Sequence, residues 1–244
     1  MLHKRICVRL ASFHGLCSLI VAAMSLIALS ARAEEPSDRV TAAGQVFKEL
    51  SSKSSGIPTN LLNKASCVII LPSVKKAGFI VGAQYGKGVM NCRSGADFNG
   101  PWSAPIMMQS SGGSIGLQIG GAETDFVILV MNDDGARAVM KGRAKLGADA
   151  TVAAGPVGRA AEASTTATMQ AQMLSYSMSK GVFGGVSLSG TSLGPDDGSN
   201  KTLYGKEITA QEIFSGSVQA PASAETLLAE LQKASPNNLA KKEK

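Results

Sequence analysis

The stretch that most narrows the possible folds is Cys67 to Cys92, CVIILPSVKKAGFIVGAQYGKGVMNC. It opens on Val68-Ile69-Ile70-Leu71, a short apolar run rich in β-branched residues, which favours a buried strand over a helix. Pro72 is expected to stop that run, and the basic pair Lys75-Lys76 follows it. Gly78, Gly82, Gly86 and Gly88 then punctuate Phe79, Ile80, Val81 and Tyr85. Glycines inside a strand pattern mark bends, bulges or places where another backbone comes close. A second pair of strands, Gly78–Tyr85 and Gly88–Cys92, is expected around a Gly86-Lys87 turn, so the chain reads as β-centred.

The N-terminal residues carry a different message. Lys4, Arg5 and Arg9 form a positive segment, Leu16 to Leu29 an apolar one, and Ala31-Arg32-Ala33 an A-x-A cleavage signal. This is the pattern of a secretory signal peptide, too short and wrongly flanked for a membrane span. Leu16 stands where a lipidated cysteine at 17 would want a small residue, so cleavage is expected after Ala33. Residues 1–33 are therefore read as a signal, 34–235 as one domain, and 236–244 as a polar, frayed tail. The expected location is the periplasm or cell envelope.

Removal of residues 1–33 takes away both histidines, His3 and His14, and four basic residues. Twenty basic residues then face eighteen acidic ones, a net charge of only +2. Nucleic acid loses its support as a partner, because phosphate backbones require clustered positive charge. Cys67 and Cys92 survive as an even pair in an exported chain, which favours one disulfide; two separate buried thiols remain the alternative.

Along the mature chain, Val40, Ala43, Phe47 and Leu50 mark one face of a helix over Pro36–Leu50, with Ser37 as N-cap. That helix either lies on the sheet or meets a membrane surface. Strands are expected at Pro105–Gln109, Ser114–Ile119, Asp125–Met131, Ala148–Ala154, Gln172–Ser179 and Val182–Gly190. Asn132-Asp133-Asp134 starts a short helix, Pro195-Asp-Asp-Gly198 reads as a turn, and Leu203-Tyr204 as part of the returning arm. Thr209-Ala-Gln-Glu212 is a capping box, and Pro221–Lys233 gives a last helix. Ala160–Thr168 shows no clear pattern. The fold class is α+β: a single domain with a mostly antiparallel, glycine-rich sheet and short flanking helices.

Catalytic patterns nearly appear and fail on their chemistry. Gly112-Gly-Ser114-Ile-Gly116 spells a nucleophile elbow, but the mature chain has no histidine to act as base. Ser73-Val-Lys75-Lys76 and Ser177-Met-Ser-Lys180 lack the accompanying elements of a serine–lysine enzyme. Gly82 to Gly88 is one residue short of a phosphate loop and lacks the hydroxyl that would hold magnesium. Two cysteines and no histidine cannot complete four zinc ligands without carboxylates. No enzyme activity, metal or cofactor is expected. The basic residues Lys75, Lys76, Lys87, Arg93 and Lys180 remain, beside flexible backbone, as candidate contacts for an anionic headgroup; Lys141, Arg143 and Lys145 form another cluster.

Two ordered motifs carry a resemblance. Ala65-Ser-Cys67 through Pro72, Lys76-Ala-Gly-Phe79, Gly82 and Tyr85-Gly-Lys-Gly88 form the first. Tyr176-Ser-Met-Ser-Lys180-Gly-Val-Phe-Gly-Gly-Val-Ser-Leu-Ser-Gly190, followed by Asn200-Lys-Thr-Leu-Tyr204-Gly205, forms the second. The chain thereby resembles the SYLF domain family, also called Ysc84-like, over roughly residues 36–235, and looks like an exported bacterial member. The resemblance implies a lipid-binding module, with Lys76 and Lys180 falling inside the motifs. The expected function is non-enzymatic binding of anionic phospholipid, with phosphoinositide-like headgroups, at a membrane surface. A structural or partner-binding envelope protein is the alternative.

Overall fold

In the computed structural model, the first strand does not stop at Pro72. Residues 34–53, 56–95, 97–157, 170–179 and 182–239 are described, with the backbone alone at 78–81 and 114–121. The expected signal peptide, Ala160–Thr168, Lys180 and residues 240–244 lie outside them. The chain divides into two units, 1–35 and 36–244, and the second is the fold considered below.

Strand β1 runs unbroken over Cys67–Cys92, and β2 over Ile106–Val130. They pair antiparallel along almost their whole length, from Cys67 opposite Val130 to Met90 opposite Ile106. The expected turn at Gly86-Lys87 is therefore absent: both residues pair straight across, with Ser110 and Gln109. The separate strands expected between Pro105 and Met131 are likewise one strand. Pro72 is absorbed by a register shift between Leu71 and Val74, where Ser73 takes φ +48° and donates its N–H to Asp125 Oδ1 at 2.8 Å. A bulge is one of the few places a sheet accepts proline.

Extended, a strand of this length would span ~85 Å, yet its two ends touch. Cys67 and Cys92 have Cα atoms 3.9 Å apart and form a disulfide. Next to it, Arg93 N–H donates to the carbonyl of Ser66 at 2.8 Å. Gly88 lies so close to the first arm that a Cβ would stand 1.9 Å from the Ile70 carbonyl oxygen, and Gly86 packs on Val74. The β1–β2 ribbon is thus doubled back on itself about its glycine-rich middle, with a second register shift between Gly78 and Ile80.

Each arm gains its own strands. On the first, β5 (Met173–Ser179) pairs antiparallel with Asp125–Val130 of β2, and is flanked by β4 (Val152–Ala154, parallel) and β6 (Val182–Gly185). On the second, β7 (Thr191–Pro195) pairs with Met108–Gly112, and β3 (Ala144–Lys145) with β7. The strands expected at Ala148–Ala154 and Val182–Gly190 are shorter than their apolar patterns.

Both faces of the ribbon are covered, which explains the continuous apolar runs. Ile69, Leu71, Met90, Ile106, Phe126 and Ile128 share a core with α3 (Asp133–Met140) and α5 (Ala210–Phe214). The alternate residues Val68, Ile70, Val89, Met107 and Val127 pack under α1 (Pro36–Ser52), α2 (Thr59–Lys64) and α6 (Glu225–Ala234). Val40, Ala43, Phe47 and Leu50 of α1 are all buried there, so this helix lies on the sheet with its apolar face spent. Helix α1 already includes Pro36, which places Ser37 in its first turn instead of at the cap.

Two local signals are confirmed atom by atom. Asn132 caps α3 by accepting from Gly135 N–H, and Thr209 and Glu212 form the reciprocal capping box of α5. One is corrected. Pro195-Asp-Asp-Gly198 starts a helix, α4 (Asp197–Tyr204), because Asp196 accepts the N–H of Ser199 as an N-cap. Leu203 and Tyr204 therefore belong to a helix. The tail is corrected too: Ser235, Asn237, Asn238 and Leu239 are bonded to Arg93, Phe98 and Asn63.

Candidate membrane-binding surface

The cationic residues singled out above do not share one environment. Arg93 is only 2% exposed. Its guanidinium lies 4.0 Å from the Trp102 ring centroid and donates to Ser235 O and Oγ and to Asn237 O. Burial lowers its pKa from the ordinary arginine value. It is a clamp on the C-terminal segment and offers nothing to a headgroup.

Lys87 is engaged as well. Its Nζ lies 2.6 Å from Asp196 Oδ2, and Ser199 Oγ donates to the same oxygen at 2.8 Å. Burial alone would raise the Asp196 pKa, but these bonds from Lys87 and Ser199 outweigh it and hold the carboxyl below its usual range. Arg39 of α1 reaches Ser199 Oγ at 3.4 Å, so this polar group joins α1, the second arm and α4.

Lys75 and Lys76 stand at the end of the first arm away from the disulfide. Lys75 is exposed and pairs across the ribbon with Glu123. Lys76 is half-buried, its ammonium 4.9 Å from the centroid of Phe126, and burial lowers its pKa. Strand alternation puts Lys76 on the face of the first core, whereas Lys87 lies on the face of Val89 in the second. By the same alternation Lys75 and Lys76 point to opposite faces, and they are together only as neighbours at this end of the arm. Lys53, which the sequence did not single out, reaches the end of β5 opposite Asp125: its Nζ contacts Met178 Sδ at 3.4 Å and pairs with Glu49 at 3.1 Å.

The two large apolar side chains that are exposed among the described residues are found at this end. Val182 is 76% exposed, opposite Ser179, whose Oγ donates to the Glu123 carbonyl. Tyr85 is 49% exposed and adjoins the Gly86–Val74 contact, which brings it to the Lys75 end. Between them the ribbon carries no charge from Ala77 to Gly86, nor from Phe98 to Ala122. Beyond Gly112 and before Asp125, β2 has no third strand beside it among the described residues.

The motif residues of the sequence mostly hold this shape. Gly86 and Gly88 permit the doubling of the ribbon. Asn200 Oδ1 accepts Met107 N–H, Tyr204 donates to Pro105 O at 2.6 Å, and Gly205 ends α4 at φ +68°. Tyr176 is buried, stacked on Phe183 at 5.6 Å and seated on Gly155. Among the described residues, no group of three or more His, Cys, Asp or Glu could hold a metal ion, and no helix is long and apolar enough to cross a membrane.

These features define a single α+β module whose motif residues hold a folded ribbon in shape. The chain belongs to the Ysc84 family: the family described as "Ysc84: Las17-binding protein actin regulator" matches residues 111–234. It is 35% identical to Protein YSC84 of Saccharomyces cerevisiae over 175 residues, 70% of this chain and 36% of that protein. It is 37% identical to the human SH3 domain-containing YSC84-like protein 1 over 185 residues, 74% of this chain and 53% of that one. LAS seventeen-binding protein 3 of Saccharomyces cerevisiae is 34% identical over 179 residues, 72% of this chain and 38% of that protein. The aligned part is thus about a third to a half of each relative. One of these relatives is named for binding, and the family description names binding and actin regulation.

Proposed function

We propose that this protein is an exported, peripheral binder of anionic phospholipid, and that the end of the sheet bearing Lys75, Lys76, Tyr85 and Val182 meets the membrane. The observation that carries the reading is Val182, a bare apolar side chain on β6 opposite Ser179, whose hydroxyl reaches the carbonyl of Glu123, the residue that faces Lys75. Water-exposed apolar groups ringed by lysines suit the boundary between headgroups and acyl chains. Each lysine contributes about 1 kcal/mol at an anionic surface, and a buried valine about 1.5 kcal/mol. Lys180 lies two residues before Val182 in sequence and belongs to the same proposal.

Flotation with vesicles of phosphatidylcholine alone, and with phosphatidylglycerol added, tests it. The mature chain should float with the anionic vesicles only. Lys75→Gln should weaken binding about fivefold, and Val182→Asp about tenfold or more. Equal failure to float in both, by folded protein, ends the reading. The word "Las17-binding" in the family description supports a second one, in which the same surface meets a protein partner of the envelope; crosslinking in cells without flotation would select it. Export is checked separately, by N-terminal sequencing of the secreted protein, which should begin at Glu34.

A further inference from the structure

A second site stands apart from the surface just described. The end of α3, the β7–α4 junction and the start of α5 enclose a cleft of about 390 Å³, within the ~300–1,000 Å³ of small-molecule sites. Lys141, Arg143, Asp197 and Gln211 line it, together with the buried apolar residues Met140 and Ala210.

Its charges are unspent. Lys53, Lys87, Lys201 and Lys233 each have a carboxylate partner, whereas Lys141 and Arg143 have none among the described residues. A lysine that ends a helix is favoured by the helix dipole, which accounts for Lys141. It does not account for Arg143, which lies past the helix on the same cleft. Nor is the segment a loose loop. A Cβ on Gly194 would stand 2.4 Å from the Gly142 carbonyl oxygen, so this turn is seated directly on β7, and Ala144 pairs with Leu193 immediately after it. Gly142, at φ +155°, places no side chain between the two cations, and a Cβ there would meet nothing within 4 Å.

The other groups have fixed allegiances. Gln109 Nε2 donates to Pro195 O, and Thr209 is consumed by its capping box. Lys141, Arg143 and Gln211 remain as donors, and the Asp197 carboxylate as an acceptor. Two cations match the charge of a phosphate group, with Arg143 able to grip two oxygens and Lys141 acting as a point charge. A single carboxylate would be satisfied by the arginine alone. Asp197 suits a hydroxyl or ammonium group on the same ligand.

We propose that this cleft binds a phosphate ester carrying a hydroxyl or amine, either free or as the headgroup of a lipid. The inference does not depend on the membrane reading, since it uses none of its residues. The test is ¹⁵N-resolved NMR titration of the mature chain with inorganic phosphate, glycerol 3-phosphate and phosphoethanolamine, run beside flotation with phosphatidic acid vesicles. The esters should shift amides at 141–143 and 209–211. Lys141→Met and Arg143→Met, both at exposed positions, should each weaken ester binding about tenfold. Asp197→Asn should abolish any preference for phosphoethanolamine over inorganic phosphate. If flotation also falls in the Lys141/Arg143 double variant, the ester is a lipid headgroup; if only soluble ester binding falls, it is a free metabolite. No ester-dependent shift at those amides, or shifts that persist unchanged in the folded double variant, overturns the proposal.

Discussion

Breaking the Cys67–Cys92 bridge gives a direct measure of how the doubled ribbon is secured. The two cysteines are 25 residues apart, and both are fully buried. In the chain-entropy treatment a closed loop of that size restrains the unfolded chain by about 11.7 cal/mol/K, or about 3.5 kcal/mol at 25 °C. The folded state loses little else on reduction, since the Arg93–Ser66 backbone bond and both cores still hold the ribbon's ends together. With an unfolding entropy of about 0.43 kcal/mol/K for some two hundred ordered residues, the melting temperature should fall by about 8 °C. The assay is urea unfolding of the oxidised protein, of protein reduced while unfolded and refolded under reductant, and of a Cys67→Ala/Cys92→Ala variant. The reduced and double-alanine forms should keep native circular dichroism and unfold at lower urea, with a steeper slope because the unfolded chain is freer. Coincident midpoints for oxidised and reduced protein would refute the reasoning. Failure of the reduced chain to fold would refute it from the other side, by showing that the bridge builds the ribbon instead of restraining the unfolded chain.

Gly88→Ala should cost more than about 3 kcal/mol, or prevent folding, because its Cβ meets the Ile70 backbone, whereas Gly184→Ala, with open space around it, should stay within about 0.5 kcal/mol of wild type in the same urea assay. Lys87→Met should destabilise by about 2 kcal/mol, since it leaves the Asp196 carboxylate, 8% exposed, without its cation. The depressed Asp196 pKa adds stability that is present above the ordinary carboxylate pKa and is lost as pH falls through the lowered value. Lys87→Met leaves burial less opposed, so its acid unfolding, followed by circular dichroism, should begin at higher pH than that of the wild type.

The sequence was legible where local chemistry decides structure and opaque where distant contacts do. The capping box at Thr209 and the Asn132 cap are spelled by adjacent residues, and both form. The apolar runs at Val68–Leu71 and Asp125–Met131 read as buried strands because both of their faces are covered. Gly86-Lys87, by contrast, has the composition of a turn and lies in a continuous strand. Gly86 and Gly88 serve the arm folded against them, a reason that lies twelve to eighteen residues away at Val74 and Ile70. Arg93 reads as a surface cation, yet Trp102 and Ser235 draw it inside; only the position of the C-terminal segment could reveal that. Lys75 and Lys76 are legible as a pair, but the exposure of Val182 depends on how β6 lies against β5. Pro195–Gly198 fails as a turn for a plainer reason, since Asp196 serves a helix cap as readily as a turn.

Among the described residues, strands β1 and β2 are the one pair common to both halves of the ribbon, which decides where the smallest autonomous piece of the chain begins. The stretch matched to the family, 111–234, would carry β5, β6 and β7 without the partner that runs beside β2 from Cys67 to Met90. Expressed by itself, such a fragment would present an orphaned hydrogen-bonding edge along β2 and two half-covered cores. A cut intended to isolate the domain therefore belongs upstream of Pro36, where α1 still roofs the sheet.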